Sequence, residues 1–152
     1  MASHGTSNGV YMNSGYLYVE SVNQSPETYH LAMSVEKPDP EQAPAGRPLV
    51  YVARFRDIDA AFMHAGGKLR RRCKHQDTVT FVTKLSTMIA VIEADGLKYE
   101  RIWLTDSLND SEMEAIATET KRLQNQLQNQ ELAWKMVGII AVVIFVLLSI
   151  VV

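Results

Sequence analysis

The sequence has only one cysteine, Cys73, so no disulfide can form within the chain. Low cysteine content is typical of proteins that fold in a reducing compartment. The formal net charge is also small, at -2, which favours neither a nucleic-acid-binding protein nor a chain with an acidic tail. The first 15 residues lack an apolar core, and they therefore do not have the pattern of a secretory signal peptide.

Charge is absent altogether from residues 136–152, which are apolar or small at every position except Ser149. A helix of about 17 residues spans roughly 25 Å, and flanking Trp134 and Lys135 extend it into the headgroup layer around a ~30 Å hydrocarbon core. A buried helix of a soluble domain would keep a polar stripe, whereas this run is apolar around its whole circumference. The sequence therefore predicts a transmembrane span.

The position of the span predicts the orientation of the chain. Lys121, Arg122 and Lys135 precede the span, and by the positive-inside rule the N-terminal domain then faces the cytosol. We expect a tail-anchored, single-pass protein of the endoplasmic reticulum and secretory pathway or of a bacterial inner membrane. The membrane anchor is assigned to Trp134, Lys135, Met136, Gly138, Ala141 and Val152.

Composition divides the chain into four segments. Residues 1–14, rich in Ser, Gly and Asn, are predicted to be a flexible tail. Residues 15–106 form a cytosolic α+β domain, 107–135 a helical heptad stalk and 136–152 the transmembrane anchor. Residues 37–48 hold four of the five prolines, and they are either a stiff surface loop or a polyproline ligand for an aromatic groove.

Six short runs rich in β-branched, aromatic or aliphatic residues predict strands. They are residues 15–22, 28–36, 49–55, 79–82, 88–92 and 99–104. A turn is expected at 23–26, and Asp95-Gly96 predicts a two-residue hairpin between the last two strands. The expected order is β-β-β-α-β-β-β, an antiparallel sheet of about six strands with one helix on a face. A long C-terminal helix follows and merges into the single span.

Asp57 is predicted to open the one helix of the domain. Its buried stripe follows the helical spacing of three and four residues, and it consists of Ile58, Ala61, Phe62, Ala65, Leu69 and Cys73. Gly66-Gly67 leaves two alternatives open: the glycines let the helix lie close against a sheet, or the helix breaks after Ala65.

Residues 111–114 have the Ser-x-x-Glu pattern of a capping box and are predicted to begin the final helix. From there a heptad seam continues into the anchor. The seam residues are Met113, Ile116, Thr120, Leu123, Leu127, Gln130 and Trp134. We expect Met113, Ile116, Leu123, Leu127 and Trp134 to mediate oligomerisation of the stalk.

Five cations form the basic patch: Lys68, Arg70, Arg71, Arg72 and Lys74. Against Asp57 and Asp59 they give residues 57–76 a charge of +3 in a chain of -2. Near anionic lipid each cation can contribute ~1 kcal/mol. The basic patch is therefore expected to bind either a lipid surface or an acidic partner, and the alternative is an ordinary solvated helix face.

Residue patterns that support catalysis are missing. Gly66-Gly67-Lys68 lacks the first glycine and the hydroxyl of a phosphate-binding loop. Cys73 and His75 are too closely spaced for a typical zinc pair, and His64 is expected on another part of the helix surface. Cys73 is also assigned to the buried stripe, where a nucleophile would be inaccessible. We expect no enzymatic activity, no metal and no cofactor.

The favoured function is therefore protein–protein assembly at a membrane, as an accessory subunit of a membrane complex or a recruiting adaptor. Its expected partners are the lipid bilayer and other membrane-protein subunits, or a second copy of the chain, bound through stalk and span; no nucleic acid is expected. A small α/β module, a heptad stalk and a C-terminal anchor also resemble the vesicle-fusion proteins with an N-terminal longin domain. That resemblance implies a trafficking or tethering role. The stalk of about 25 residues is less than half of what a four-helix fusion bundle uses.

Overall fold

The computed structural model of the protein describes residues 13–22 and 27–151. Most of the predicted flexible tail (1–14), the predicted turn at 23–26 and the anchor residue Val152 lie outside the described residues. The described strands are β1 (Gly15–Ser21), β2 (Thr28–Ser34), β3 (Leu49–Phe55), β4 (Lys74–His75), β5 (Thr80–Val82) and β6 (Tyr99–Leu104). The described α-helices are α1 (Ile58–Arg72), α2 (Leu85–Glu93) and α3 (Asp110–Val151), and a short 3-10 turn spans Pro40–Gln42.

The six strands form one antiparallel sheet in the order β4-β5-β2-β1-β3-β6. β1 is inside the sheet, where Leu17 lies opposite Met33 of β2 on one side and Ala53 of β3 on the other. β3 is buried at every position except Arg54. The α+β class and an antiparallel sheet of six strands are confirmed, but β4 was not predicted, and one predicted strand lies in a second helix of the domain.

The predicted strand at 88–92 is wrong, because this run lies in α2. Every side chain from Met88 to Ala94 is buried, and α2 contacts both α1 and α3. A helix buried on all sides shows no polar stripe, and a short apolar run cannot then be told from a buried strand by its periodicity. Lys84 at the start of α2 makes no side-chain capping bond, so the usual start signal is missing as well. The order is thus β-β-β-α-β-β-α-β-α.

The predicted hairpin at Asp95-Gly96 is wrong for the same reason. Gly96 has a φ of +76°, a left-handed conformation that glycine adopts without steric cost. It reverses the chain, but between α2 and β6 instead of between two strands. A glycine just after a helix is the common stop signal, and recognising α2 would have changed the interpretation of this dipeptide.

Asp57 caps α1 as expected, its carboxylate accepting a hydrogen bond from the Ala60 amide at 3.0 Å. The helix runs unbroken through Gly66 and Gly67 to Arg72. A Cβ at Gly66 would meet only the guanidinium of Arg70, at 3.6 Å or more, and one at Gly67 would meet nothing within 4 Å. The helix therefore does not break, and close packing does not require either glycine.

α3 is one continuous helix from Asp110 to Val151. Its cap lies two residues earlier than the predicted capping box: Asn109 accepts from the Glu112 amide at 2.9 Å, and Glu112 accepts from the Asn109 amide at 3.0 Å. The helix packs on α2 through a stripe that includes Ile116, Thr120 and Leu123, all buried. By length and composition it is the one described helix that could cross a membrane.

Candidate functional site

The main concave surface of interest lies where α3 leaves the domain, and we name it the α1–α3 groove. It consists of two adjoining cavities of about 580 and 820 Å³ that share Lys68, Ala94, Leu127 and Gln130. The C-terminal half of α1 forms one wall, the end of α2 the floor and α3 the other wall. The groove extends along α3 as far as Trp134, the first residue of the predicted anchor.

The α1 wall of the groove is cationic. Lys68, Arg71 and Arg72 lie three and four residues apart, a spacing that puts them on the same side of the helix. Lys68 is hydrogen-bonded to the buried carboxylate of Asp95, which also lies 3.0 Å from His64 Nδ1. Lys68 is therefore partly neutralised by the protein itself.

Arg71 and Arg72 are less constrained. Arg71 Nε donates to the carbonyl of Gly67 at 3.2 Å, and Arg72 Nη2 donates to the side-chain amide oxygen of Gln126 at 3.3 Å. Both residues are exposed, and within residues 13–22 and 27–151 neither has a carboxylate at ion-pair distance. The two guanidinium groups are thus the available charges of the groove.

The structure divides the predicted basic patch. Lys68, Arg71 and Arg72 line the groove, whereas Arg70 turns away and donates to the carbonyl of Thr78 at 3.1 Å. Lys74 lies beyond the helix in the edge strand β4. The sequence identified all five cations, and the helical spacing groups Lys68, Arg71 and Arg72 on one side of α1, but it did not show that this side faces α3.

The α3 wall is made of amides over an apolar base. Leu123 and Leu127 lie at the base, and Gln126, Asn129 and Gln130 supply polar groups. A side-chain amide can both donate and accept hydrogen bonds, so this wall complements many polar ligands. These amide residues of α3 are polar and uncharged, and their spacing along α3 alone does not indicate the cationic wall that faces them.

A second polar cluster ties α2 to the sheet. Glu93, whose side chain is 4% exposed, accepts two hydrogen bonds from Arg101 of β6 at 2.8 and 2.7 Å and one from the Tyr51 hydroxyl at 3.2 Å. Burial, followed by the nearby charge of Glu93, raises the pKa of Tyr51 well above its ordinary value. The hydrogen bonds that Arg101 donates to Glu93 raise the pKa of Arg101.

Sequence reasoning missed this cluster because it placed 88–92 in a strand. The sequence does contain one indication of it: Glu93 directly follows the apolar run 88–92, and a buried carboxylate requires a partner. The geometry is that of a structural ion pair, which joins α2, β3 and β6 through three side chains.

The residues predicted to oligomerise the stalk fall into two environments. Ile116 and Leu123 are 2% and 5% exposed and belong to the hydrophobic core of the domain, against α2. Leu127 is half-buried at the groove, whereas Met113 and Trp134 are 38% and 75% exposed. The structure therefore places Ile116 and Leu123 inside this chain and leaves Met113 and Trp134 accessible.

The described anchor residues Trp134, Lys135, Met136, Gly138 and Ala141 are all exposed on α3.

The remaining candidates for metal binding or nucleophilic chemistry lie apart. His64 is on an exposed face of α1 beside Asp95, Cys73 follows the last turn of α1 and is partly buried, and His75 is exposed in β4. Comparison with known proteins adds no further assignment: no family model, curated protein or solved structure matches the chain.

Proposed function

We propose that the chain is a non-enzymatic, single-span membrane protein whose cytosolic domain and α3 mediate protein–protein assembly at a membrane. The supporting observation is the exposure of large apolar side chains along α3 from Leu132 to Val146. Ten of these side chains are between 49% and 75% exposed. Fully burying a large apolar side chain contributes about 1.5–3 kcal/mol. Leaving ten side chains half-exposed to water would therefore cost on the order of 10 kcal/mol. Lipid removes that cost.

The packing of α3 on α2 supports a role in assembly. Because Ile116 and Leu123 are part of the domain core, the domain is joined to the helix that continues into the span. A partner at the membrane would then meet the domain, the exposed residues of the seam and the span together. Accessory subunits and recruiting adaptors both need this fixed presentation of a cytosolic surface.

Membrane insertion is tested by expressing the full chain and extracting membranes with alkaline carbonate. We expect the protein to stay in the pellet and to float with liposomes, whereas replacing Ile140 and Ile144 by Asp should release it. Protease added to sealed membranes should digest the N-terminal domain if that domain faces the cytosol. Recovery of the unaltered chain in the supernatant would contradict the proposal.

Assembly is tested by purifying the full chain in mild detergent and identifying the chains that co-purify. A stoichiometric partner that depends on the span and the exposed seam residue Trp134 supports a complex subunit. A stable helical bundle formed with cognate chains would instead favour the trafficking role. A chain that stays monomeric and purifies alone from every membrane tested would contradict a role in assembly.

A further inference from the structure

The α1–α3 groove carries positive charge that its own residues do not neutralise. Its walls hold three cations, Lys68, Arg71 and Arg72, and one carboxylate, Asp95, so the difference is +2 with histidine neutral. A guanidinium group has five N–H donors. Since Arg71 and Arg72 each make one hydrogen bond to described residues, most of their donors remain available to a ligand.

The helix dipole explains part of this arrangement. Cations in the last turn of a helix offset the partial negative charge of its free carbonyls. Arg70, Arg71 and Arg72 all satisfy that requirement, but Arg70 has a backbone carbonyl as partner outside the groove. The dipole does not explain why Arg71 and Arg72 border a concave surface whose opposite wall is made of amides.

The position of the groove along α3 points to the ligand, on the condition that the proposed membrane anchorage holds. Gln126 and Gln130 precede Trp134 by eight and four residues, which at 1.5 Å per residue corresponds to about 12 and 6 Å along the helix. Tryptophan at a span boundary marks the headgroup layer. Arg72, which donates to Gln126, therefore lies about 12 Å along the helix from this layer, slightly more than one Debye length of ~8–10 Å, and the Gln130 end of the groove lies within one Debye length.

We propose that the α1–α3 groove binds the phosphate headgroup of an anionic phospholipid from the leaflet in which α3 is anchored. Arg71 and Arg72 supply charge-assisted hydrogen bonds to the phosphate oxygens, a contact that guanidinium geometry favours. The side-chain amides of Gln126 and Gln130 contact the polar part of the headgroup. The inference rests on the proposed function, because an unanchored chain would have no leaflet beside the groove.

The test uses the full chain in nanodiscs of phosphatidylcholine with trace spin-labelled phosphatidylserine or spin-labelled phosphatidylcholine. Electron paramagnetic resonance then measures the fraction of each label that the protein immobilises. We expect preferential immobilisation of phosphatidylserine, and we expect Arg71→Gln with Arg72→Gln to lower this preference by about fivefold or more. The matched control, Arg54→Gln with Arg56→Gln, removes the same charge at a separate surface and should retain the preference.

The possible results separate a failure of the proposed membrane anchorage from a failure of the headgroup site. A chain that does not enter phosphatidylcholine nanodiscs contradicts the proposed function itself. A chain that enters them but shows no lipid preference, or shows one that survives Arg71→Gln with Arg72→Gln, overturns only the headgroup site. Binding of millimolar inorganic phosphate that depends on the two arginines and occurs equally without anionic lipid would identify a free-phosphate site and also overturn the inference.

Discussion

Leu123→Ala should destabilise the N-terminal α+β domain although Leu123 belongs to the predicted stalk. The side chain is 5% exposed and packs in the domain core against α2. Replacing a buried leucine by alanine costs 2–5 kcal/mol, depending on how far the site can collapse or fill with water. Because Leu123 also borders the groove, we expect about 2–3 kcal/mol, in the lower part of that range.

The assay is denaturant unfolding of the full chain in detergent, followed by near-ultraviolet circular dichroism of the domain. Ile116→Ala, at a side chain 2% exposed and outside the groove, should cost more, about 3–4 kcal/mol. The matched control is Leu132→Ala, the same substitution on the same helix at a side chain 58% exposed, and it should cost less than about 0.5 kcal/mol. Equal losses for Leu123→Ala and Leu132→Ala would refute the packing of α3 on the domain.

Two further predictions concern buried polar groups in the same unfolding assay. Because the pKa of Tyr51 is raised in the folded state, its contribution to stability is present below pH 10 and decreases as pH rises above 10, by up to ~1.4 kcal/mol per pH unit. Tyr51→Phe should therefore make the free energy of unfolding fall less steeply with pH above 10. Equal slopes in the unaltered protein and the variant would contradict this prediction. The buried hydroxyl of Thr120 has no hydrogen-bond partner in the described structure, so Thr120→Val should stabilise the domain by about 1 kcal/mol. The matched control Thr118→Val, at an exposed position, should have little effect. If Thr120→Val does not raise the free energy of unfolding, the hydroxyl is not unpaired in the folded protein.

Local chemistry was sufficient to predict much of the sheet and α1. The bounds of β3 and β6 are those expected, because both are bounded by clear changes in composition. Asp57 is a side-chain cap, a signal that depends on only three following residues. Such features can be predicted from sequence because the interactions that determine them are close in the chain.

α2 and the groove could not be predicted in the same way. The secondary structure of residues 88–92 depends on α1 and α3, which cover the segment and lie outside its own sequence. The groove depends on Arg72 and Gln126 meeting across 54 positions of chain. Propensity and spacing identify the two polar helix faces separately, but only the tertiary fold brings them together.

The same packing fixes the distance between the domain and the proposed membrane anchor. With Leu123 held in the core, only about seven residues separate the last half-buried seam position, Leu127, from Trp134, which is roughly 10 Å of helix. In a chain anchored as we propose, a rigid connection this short would keep the groove and the exposed residues of α3 near the bilayer surface. Assembly and headgroup binding would then use adjoining parts of one helix, so a partner that packs against Trp134 would change the access of lipid to Arg71 and Arg72.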